Sequence, residues 1–539
     1  MTRVTQAPFA KRHPDPFPRK GVRVGLVLLL AIYIVIGGMY ALKTPLWQVP
    51  DEPAHVNYAL HIARTGRLPT LQPGDYDPEY LEAIKAAKFP PHMSVASIRY
   101  EFHQPPAYYL LAAPLIRLLA PAALDPHADG VRLAGAVHTM RFLSLILSVG
   151  LLLTAFAVAR HLFPDHPTLA LATVAFIAFI PQHVAMMAGA NNDALAELML
   201  ALFLYLLVVH MGYPVEEEAG SRRWVLRGIL LGLVLWSKTT IYAPAGLALL
   251  AFHLLRAWPE GERKPRWREE GLALVQEVGL GVLLALPFFW HNVRAYGWPD
   301  ILGWRRHGQI VVGQMTTAEY IARHGWAAYL HRALTWTFRS FWGQFGWMGV
   351  LLDARLYTAF LYLTLLLFLG IGVFLVHGCR PRFERIILRR PATAPECLIP
   401  YQHNALGVLS ASAVGTWVAY VGYNVTFLQH QGRYLFTGLV PLAVISLPGL
   451  WILLERRYAD RGMKVASFLG WVALLLAAAN VGPLTRWDAL SLFGVAFWFG
   501  FARQWPRRRP LWLLLPFLLL IPLDVWILYR VILPALAVT

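Results

Sequence analysis

Charge is scarce in this chain of 539 residues: 14% are Asp, Glu, Lys or Arg, against 57% hydrophobic. Soluble domains run about a quarter charged and about half apolar, so an ordinary soluble fold and a disordered chain are excluded. Acidic residues are the scarcer sign, 30 against 48 basic ones, which leaves a net charge of +18. In a soluble protein that excess would point to nucleic acid. In a chain this apolar it points to cytoplasmic loops, where Lys and Arg collect, and no nucleic-acid partner is expected. There are only 2 cysteines, Cys379 and Cys397, in one basic stretch, which excludes a disulfide framework and a thiolate metal site. Phosphate-binding glycine loops, zincin motifs, CxxC pairs and serine-nucleophile elbows are all missing. An ATP-driven pump is therefore not expected, nor is a nucleotide or redox cofactor.

What is abundant is long apolar runs, and the expected fold is an all-α polytopic membrane protein. Residues 1–21 read as a cytoplasmic tail and 22–42 as a retained first span, since no small-residue cleavage site follows. Further spans are expected at 138–160, 168–188, 193–212, 224–238, 240–257 and 273–291, then at 356–377, 404–424, 434–455, 464–482, 487–502 and 510–533, about 13 in all. The chain thus divides into a first outer loop at 43–137, spans 2–7 over 138–291, a second long outer loop at 292–355, and spans 8–13 over 356–539. The apolar stretch 107–120 is short for a span and holds Pro114 and Arg117. If it does not cross, every short basic connection falls on one side. These are the ones with Lys11 and Arg12, Arg222 and Arg223, Arg263 and Lys264, Arg380 to Arg390, Arg456 and Arg457, and Arg507 to Arg509. The positive-inside rule prefers that arrangement. It makes 107–120 a surface helix and sets the N-terminus in the cytoplasm.

The two long outer loops are rich in Pro, Trp, Tyr and His, and loops of that length usually carry function. The sharpest feature is Pro50-Asp51-Glu52-Pro53-Ala54-His55, where the chain leaves the first span ahead of an expected surface helix, Ala54 to Thr65. A partly desolvated carboxylate there gains basicity and suits a general base acting on a hydroxyl; Asp51 could equally cap the helix. His103-Gln104-Pro105-Pro106-Ala107-Tyr108-Tyr109 opens the short apolar stretch, and its tyrosines suit a membrane interface. Asn191-Asn192-Asp193 lies between two spans on the same side, where Asp193 either caps a helix or faces the cavity of Asp51. Glu197, one turn deeper, needs a partner at that depth.

Three bases run against the inside-positive trend: Lys238, Arg294 and Arg433. Outer cations at the bilayer surface fit a bound phosphate, or else snorkel to lipid headgroups. Asn424-Val425-Thr426 matches a glycosylation sequon, a triplet frequent by chance.

Together these motifs resemble the GT-C class of polyprenyl-phosphate-sugar glycosyltransferases, which includes protein O-mannosyltransferases and the lipid A aminoarabinose transferase. The likeness runs from about residue 22 to 450 and is nearest to a bacterial membrane branch with a P-D-E-x-x-H signature, here Pro50 to His55. Gln104 to Tyr109 resembles the class's proline-pair motif, and Asn192-Asp193 its second acidic site. Gln431-Gly432-Arg433-Tyr434 resembles a late Q-G-R-Y motif. Asn292-Val293-Arg294 with Gly297 is similar to an R-N…G loop, though without the Arg-Asn adjacency.

The resemblance implies a GT-C-like fold with juxtamembrane helices in the two outer loops, in a bacterial inner membrane with the site facing outward. It implies inverting transfer of a sugar from a polyprenyl-phosphate donor to a hydroxyl of a glycan, lipid or protein. Asp51 would be the base, with Glu52 as substitute, and Asp193 would orient the acceptor. Lys238, Arg294 and Arg433 would bind the donor phosphate, and His55, His103, Gln104, Tyr108 and Asn192 would line the substrate. Members differ in metal dependence, so a divalent metal stays open. Three rivals remain. One is a secondary transporter, whose site would lie at mid-membrane between repeats. Another is a non-catalytic assembly or scaffold protein that uses the outer loops for binding. The third is a ligase or polymerase using a lipid diphosphate.

Overall fold

A computed structural model of the chain describes residues 19–213, 222–258, 265–379 and 398–537. The expected basic residues Lys11, Arg12, Arg263, Lys264 and Arg380 to Arg390 lie outside them. Among the described residues the architecture is helical, with one two-residue hairpin, Gln344–Phe345 paired antiparallel to Val350–Leu351. Among these described residues, 10 helices are long and apolar enough to cross a membrane, from Gly21–Lys43 to Pro506–Leu536.

Three expected spans depart from the pattern, so the count of 13 is not reached on these grounds. The run at 168–188 is two helices, Pro167–Ala178 and Pro181–Met187, bent by 71°. Pro181 explains the break, because it forces the preceding Ile180 into extended backbone (φ −70°, ψ 117°). Arg223–Ser237 has only 15 residues. Arg486–Gln504 carries Arg486, Asp488 and Arg503 along its length. The helix Ala107–Leu119, at 13 residues, is too short to cross, as expected.

The main core gathers around Pro167–Ala178, every residue of which is buried. A second core lies within the first long segment and joins Tyr58, Tyr108, Tyr109 and Ile116 to Val137 and Met140. Burial of this kind holds the helices Glu52–Thr65 and Ala107–Leu119 as a fixed platform rather than as a loose loop. The second long segment contributes Trp304–Ile310 and Thr317–Trp342, the latter broken at Gly325 (φ 80°).

Helix ends at opposite poles have different chemistry. Asp193 starts and Met211 ends one 19-residue helix, so its ends are separated by about 27 Å at 1.5 Å per residue. At the Met211 pole the guanidinium of Arg227 donates to Glu277 (2.8 Å) and Arg256 donates to Glu270 (3.0 Å), while His253 bridges both acids at 2.7 and 3.3 Å. All are buried, so the carboxylates and cations satisfy one another and tie the helices together. At the Asp193 pole lies a cavity.

Candidate active site

The approach to the cavity is set by Glu52. Its carboxylate is fully buried and accepts from both Nε and a terminal nitrogen of Arg141, each at 2.7 Å. Backbone amides of Trp47 (2.9 Å) and Ala190 (3.2 Å) donate to the same oxygens. Arg141 also donates to the carbonyls of Ala41, Thr44 and Pro45. With every lone pair taken, Glu52 fastens the turn between the first span and the surface helix. That corrects its expected place as a substitute base: it is a structural acid, out of reach of substrate.

Asp51 goes the other way. The helix begins at Glu52 rather than Ala54, and Asp51 sits at its cap position with left-handed backbone (φ 67°) and no side-chain capping bond. An Asp in this conformation is unusual, and such backbone is typical of functional sites. Its carboxylate accepts from Arg433 at 2.5 Å and from the Tyr100 hydroxyl at 2.7 Å. Burial pushes this carboxyl up. The Arg433 and His55 charges, with the two hydrogen bonds, outweigh burial and hold it at about 2. The expected gain in basicity is therefore reversed while Arg433 is in contact.

Arg433 is delivered by a close approach. A Cβ on Gly432 would collide with the Phe341 nitrogen and the Thr337 oxygen, so only glycine lets this segment meet the Thr317–Trp342 helix. The Gly432 amide donates to the Ser340 hydroxyl at 2.6 Å, fixing the next residue toward Asp51.

Asp193 and Lys238 form a second ion pair at 2.6 Å, within electrostatic reach of Arg433 and His55. Behind it, Glu197 finds its required partner in His183 at 3.1 Å, with a space of only about 10 Å³ alongside. The structure thus brings Asp51, His55, Asp193, Lys238 and Arg433 together. His55 is buried and joins the Tyr109 hydroxyl at 2.7 Å. Asn192 is fully buried beside Asp193, with both side-chain polar atoms unpartnered.

Other expected residues are placed elsewhere. Arg294 is exposed in the last turn of Trp267–Tyr296, over the Trp290 ring, and does not reach the site. Tyr108 lies in the second core, its hydroxyl 2.8 Å from Ser144. It therefore neither lines the cavity nor anchors at an interface. His103 packs on His307 with ring centres 4.4 Å apart. Burial, aided by the His55 charge and opposed by a hydrogen bond to the Tyr100 carbonyl, lowers His103 to about 4; burial, aided by the His103 charge, lowers His307 to about 3. Asn424 of the sequon is buried. Its amide donates to the Tyr420 carbonyl and its oxygen accepts from the Gln429 amide, so it is a structural residue.

The cavity itself is about 450 Å³. Asp51, Tyr100 and Glu101 form one side, Arg332 and Trp336 another, and Gln429 to Arg433 a third. Two of these side chains escaped sequence reasoning. Glu101 has a buried carboxylate oxygen without a partner, and burial and the Asp51 charge raise its pKa against His55 and Lys238. Arg332 stacks on Trp336 at 4.0 Å, its Nε is unpartnered, and no carboxylate among the described residues pairs with it. Glu101 stands just ahead of the His103-to-Tyr109 motif, which was the available signal. Arg332 had none. No group of three or more His, Cys, Asp or Glu among the described residues is arranged to hold a metal.

A first span, a platform of helices, and a cavity at their junction beneath a second long segment make up a fold shared with the solved structure of ArnT from Cupriavidus metallidurans. The sequence model of the dolichyl-phosphate-mannose-protein mannosyltransferase family matches residues 131–290. Among solved structures, apo ArnT from Cupriavidus metallidurans aligns with a TM-score of 0.50 at 15% identity, covering 93% of this chain and 76% of that one. ArnT from the same organism bound to undecaprenyl phosphate aligns at 0.46, with 15% identity and coverages of 95% and 74%. The apo oligosaccharyltransferase of Archaeoglobus fulgidus aligns at 0.49 with 14% identity over 94% of this chain, which spans 56% of the archaeal protein. A search of curated protein sequences finds no match.

Proposed function

We infer that the protein moves a sugar from a polyprenyl-phosphate donor to an acceptor hydroxyl, with inversion, in the cavity at Asp51 on the outer face of the membrane. One observation carries the reading: a half-buried carboxylate, Asp51, shares a cavity of about 450 Å³ with two guanidinium groups, Arg433 and the unpaired Arg332. The family model that matches 131–290 is named for a lipid-phosphate-sugar transferase, which supports this donor class.

In the reaction the acceptor oxygen attacks the anomeric carbon and its proton passes to a carboxylate. The bond from that carbon to the phosphate oxygen breaks, and its electron pair leaves with the lipid phosphate. A phosphate monoester leaves as a stable anion, so cations can replace a strong general acid. Arg332 is free to take the phosphate, and Arg433 can share it. As the phosphate draws Arg433 away, Asp51 loses the partner that depresses its pKa and becomes a competent base. Glu101, pushed the opposite way, is the second carboxylate through which the proton can pass. Asp193, paired with Lys238, would orient the acceptor. The tight space beside Glu197 favours this site over a mid-membrane transport pathway.

The test uses purified chain with labelled polyprenyl-phosphate-hexose and a mixed glycan and lipid extract. Release of polyprenyl phosphate by the native chain, lost in Asp51→Asn while donor still binds, supports the reading. Equal release in both moves the base to Glu101. No binding of any polyprenyl phosphate overturns the donor assignment.

A further inference from the structure

One polar feature of the cavity is not used by the chemistry above. Gln431 Nε2 donates to Gln429 Oε1 at 2.7 Å, Gln429 Nε2 to Gln314 Oε1 at 3.2 Å, and Gln314 Nε2 to the Tyr76 hydroxyl at 3.3 Å. The four residues line the same cavity and come from three separate stretches of chain. The order of donors and acceptors leaves defined ends. Tyr76 accepts from Gln314, so its O–H hydrogen is free. Gln431 Oε1 is buried and has no partner. Each amide still holds a second N–H.

A chain of amides built only for stability would close on itself, because a buried unpartnered acceptor is costly. This one ends beside the reacting groups. Gln431 is two residues from Arg433, and the Tyr76 ring meets Tyr100, the hydroxyl donor to Asp51, edge-on at 5.7 Å. Its backbone is also fixed: the Gln429 amide donates to Asn424 Oδ1 at 3.1 Å, and the Gly432 amide is tied to Ser340. A fixed row of neutral donors and acceptors, in a cavity also lined by Trp336 and Trp347, matches the hydroxyls and apolar face of a pyranose.

We propose that Tyr76, Gln314, Gln429 and Gln431 form a hydroxyl-reading edge that selects an uncharged, polyhydroxylated sugar unit beside Asp51. The inference rests on the transferase reading for its sugar, but it concerns recognition rather than the chemical step. The same chemistry could come from the donor sugar or from a sugar of the acceptor, and the test separates them.

Full-length native chain, Gln431→Leu and Tyr76→Phe are compared for binding of three probes: undecaprenyl phosphate, undecaprenyl-phosphate-mannose and free methyl α-mannoside. Bare undecaprenyl phosphate is the control for a folded site. The expected result is an affinity about tenfold weaker for the mannosylated lipid in both variants, with the bare lipid unchanged, as loss of a hydrogen bond to a substrate hydroxyl requires. A loss confined to methyl α-mannoside assigns the edge to the acceptor sugar. Unchanged affinity for both sugars overturns the proposal, and so does an equal loss for all three probes. If the native chain binds neither lipid, the donor reading fails, and the methyl α-mannoside arm still decides the edge.

Discussion

Asp51 and Arg433 stand 382 positions apart in the sequence and 2.5 Å apart in space. The contact closes the first long segment onto the mouth of a late span, and it joins the expected base to an expected phosphate ligand. In this contact each neutralises the other. On the proposed reading the carboxylate is thereby masked, and an incoming anion that draws Arg433 away would unmask it.

The neighbouring acids separate stability from activity. Glu52→Gln should destabilise the protein severely, by about 3–5 kcal/mol, because it strands the buried Arg141. Asp51→Asn should cost much less, since the Asp51 side chain is 23% exposed to the cavity, where water can replace its contacts, and Asn tolerates left-handed backbone. Thermal unfolding in detergent checks the order: Tm lower for Glu52→Gln than for Asp51→Asn, with transfer lost in the latter.

The cations divide in the same way. Arg332→Gln should weaken binding of polyprenyl phosphate about tenfold or more, the scale of a lost hydrogen bond to a charged group. Arg294→Gln, at an exposed position, should leave it unchanged. Titration of the native chain and both variants with undecaprenyl phosphate is decisive, and equal losses would remove Arg332 from the phosphate.

Acid should loosen the loop segment through His103 and His307. Both are held below their ordinary value of 6.5, at about 4 and about 3. The unfolded chain then binds more protons than the folded one below pH 6.5, so the stability these rings contribute is complete above 6.5 and falls as pH drops toward 4. Tm measured across that range should decline, and His307→Gln should flatten the decline.

Gly432→Ala should misplace Arg433. The added methyl would collide with the Phe341 and Thr337 backbone, so the segment must move off the Thr317–Trp342 helix. Loss of transfer with a lowered Tm is expected. An alanine variant with native activity would show that this close approach does not position Arg433.

Much of the fold was legible because apolar length is a local property. That Ala107–Leu119 is too short to cross followed from the length of its apolar run. The break at Pro181 was written in the sequence, yet a hydropathy reading passes over it. Asp51 and Arg433 stood out through the short motifs around them. The fate of Glu52 did not, because it depends on Arg141, 89 positions away. Tyr108 was misplaced because an aromatic hydroxyl suits an interface and a satisfied core equally well. Arg332 lies inside a helix with no motif, and only the packing of Thr317–Trp342 against the loop before Gly432 turns it to the cavity.

The Arg141–Glu52 bridge has a consequence for how such a protein can change. It anchors Asp51 at one height relative to the first span, as a floor does. The walls over it are drawn from distant stretches, Tyr76 and Gly313 to Met315 on one side and Leu428 to Gln431 on another. Exchanging those stretches would alter what the cavity admits and leave Asp51 where it was, so under the proposed function substrate range and chemistry would be separable in this scaffold.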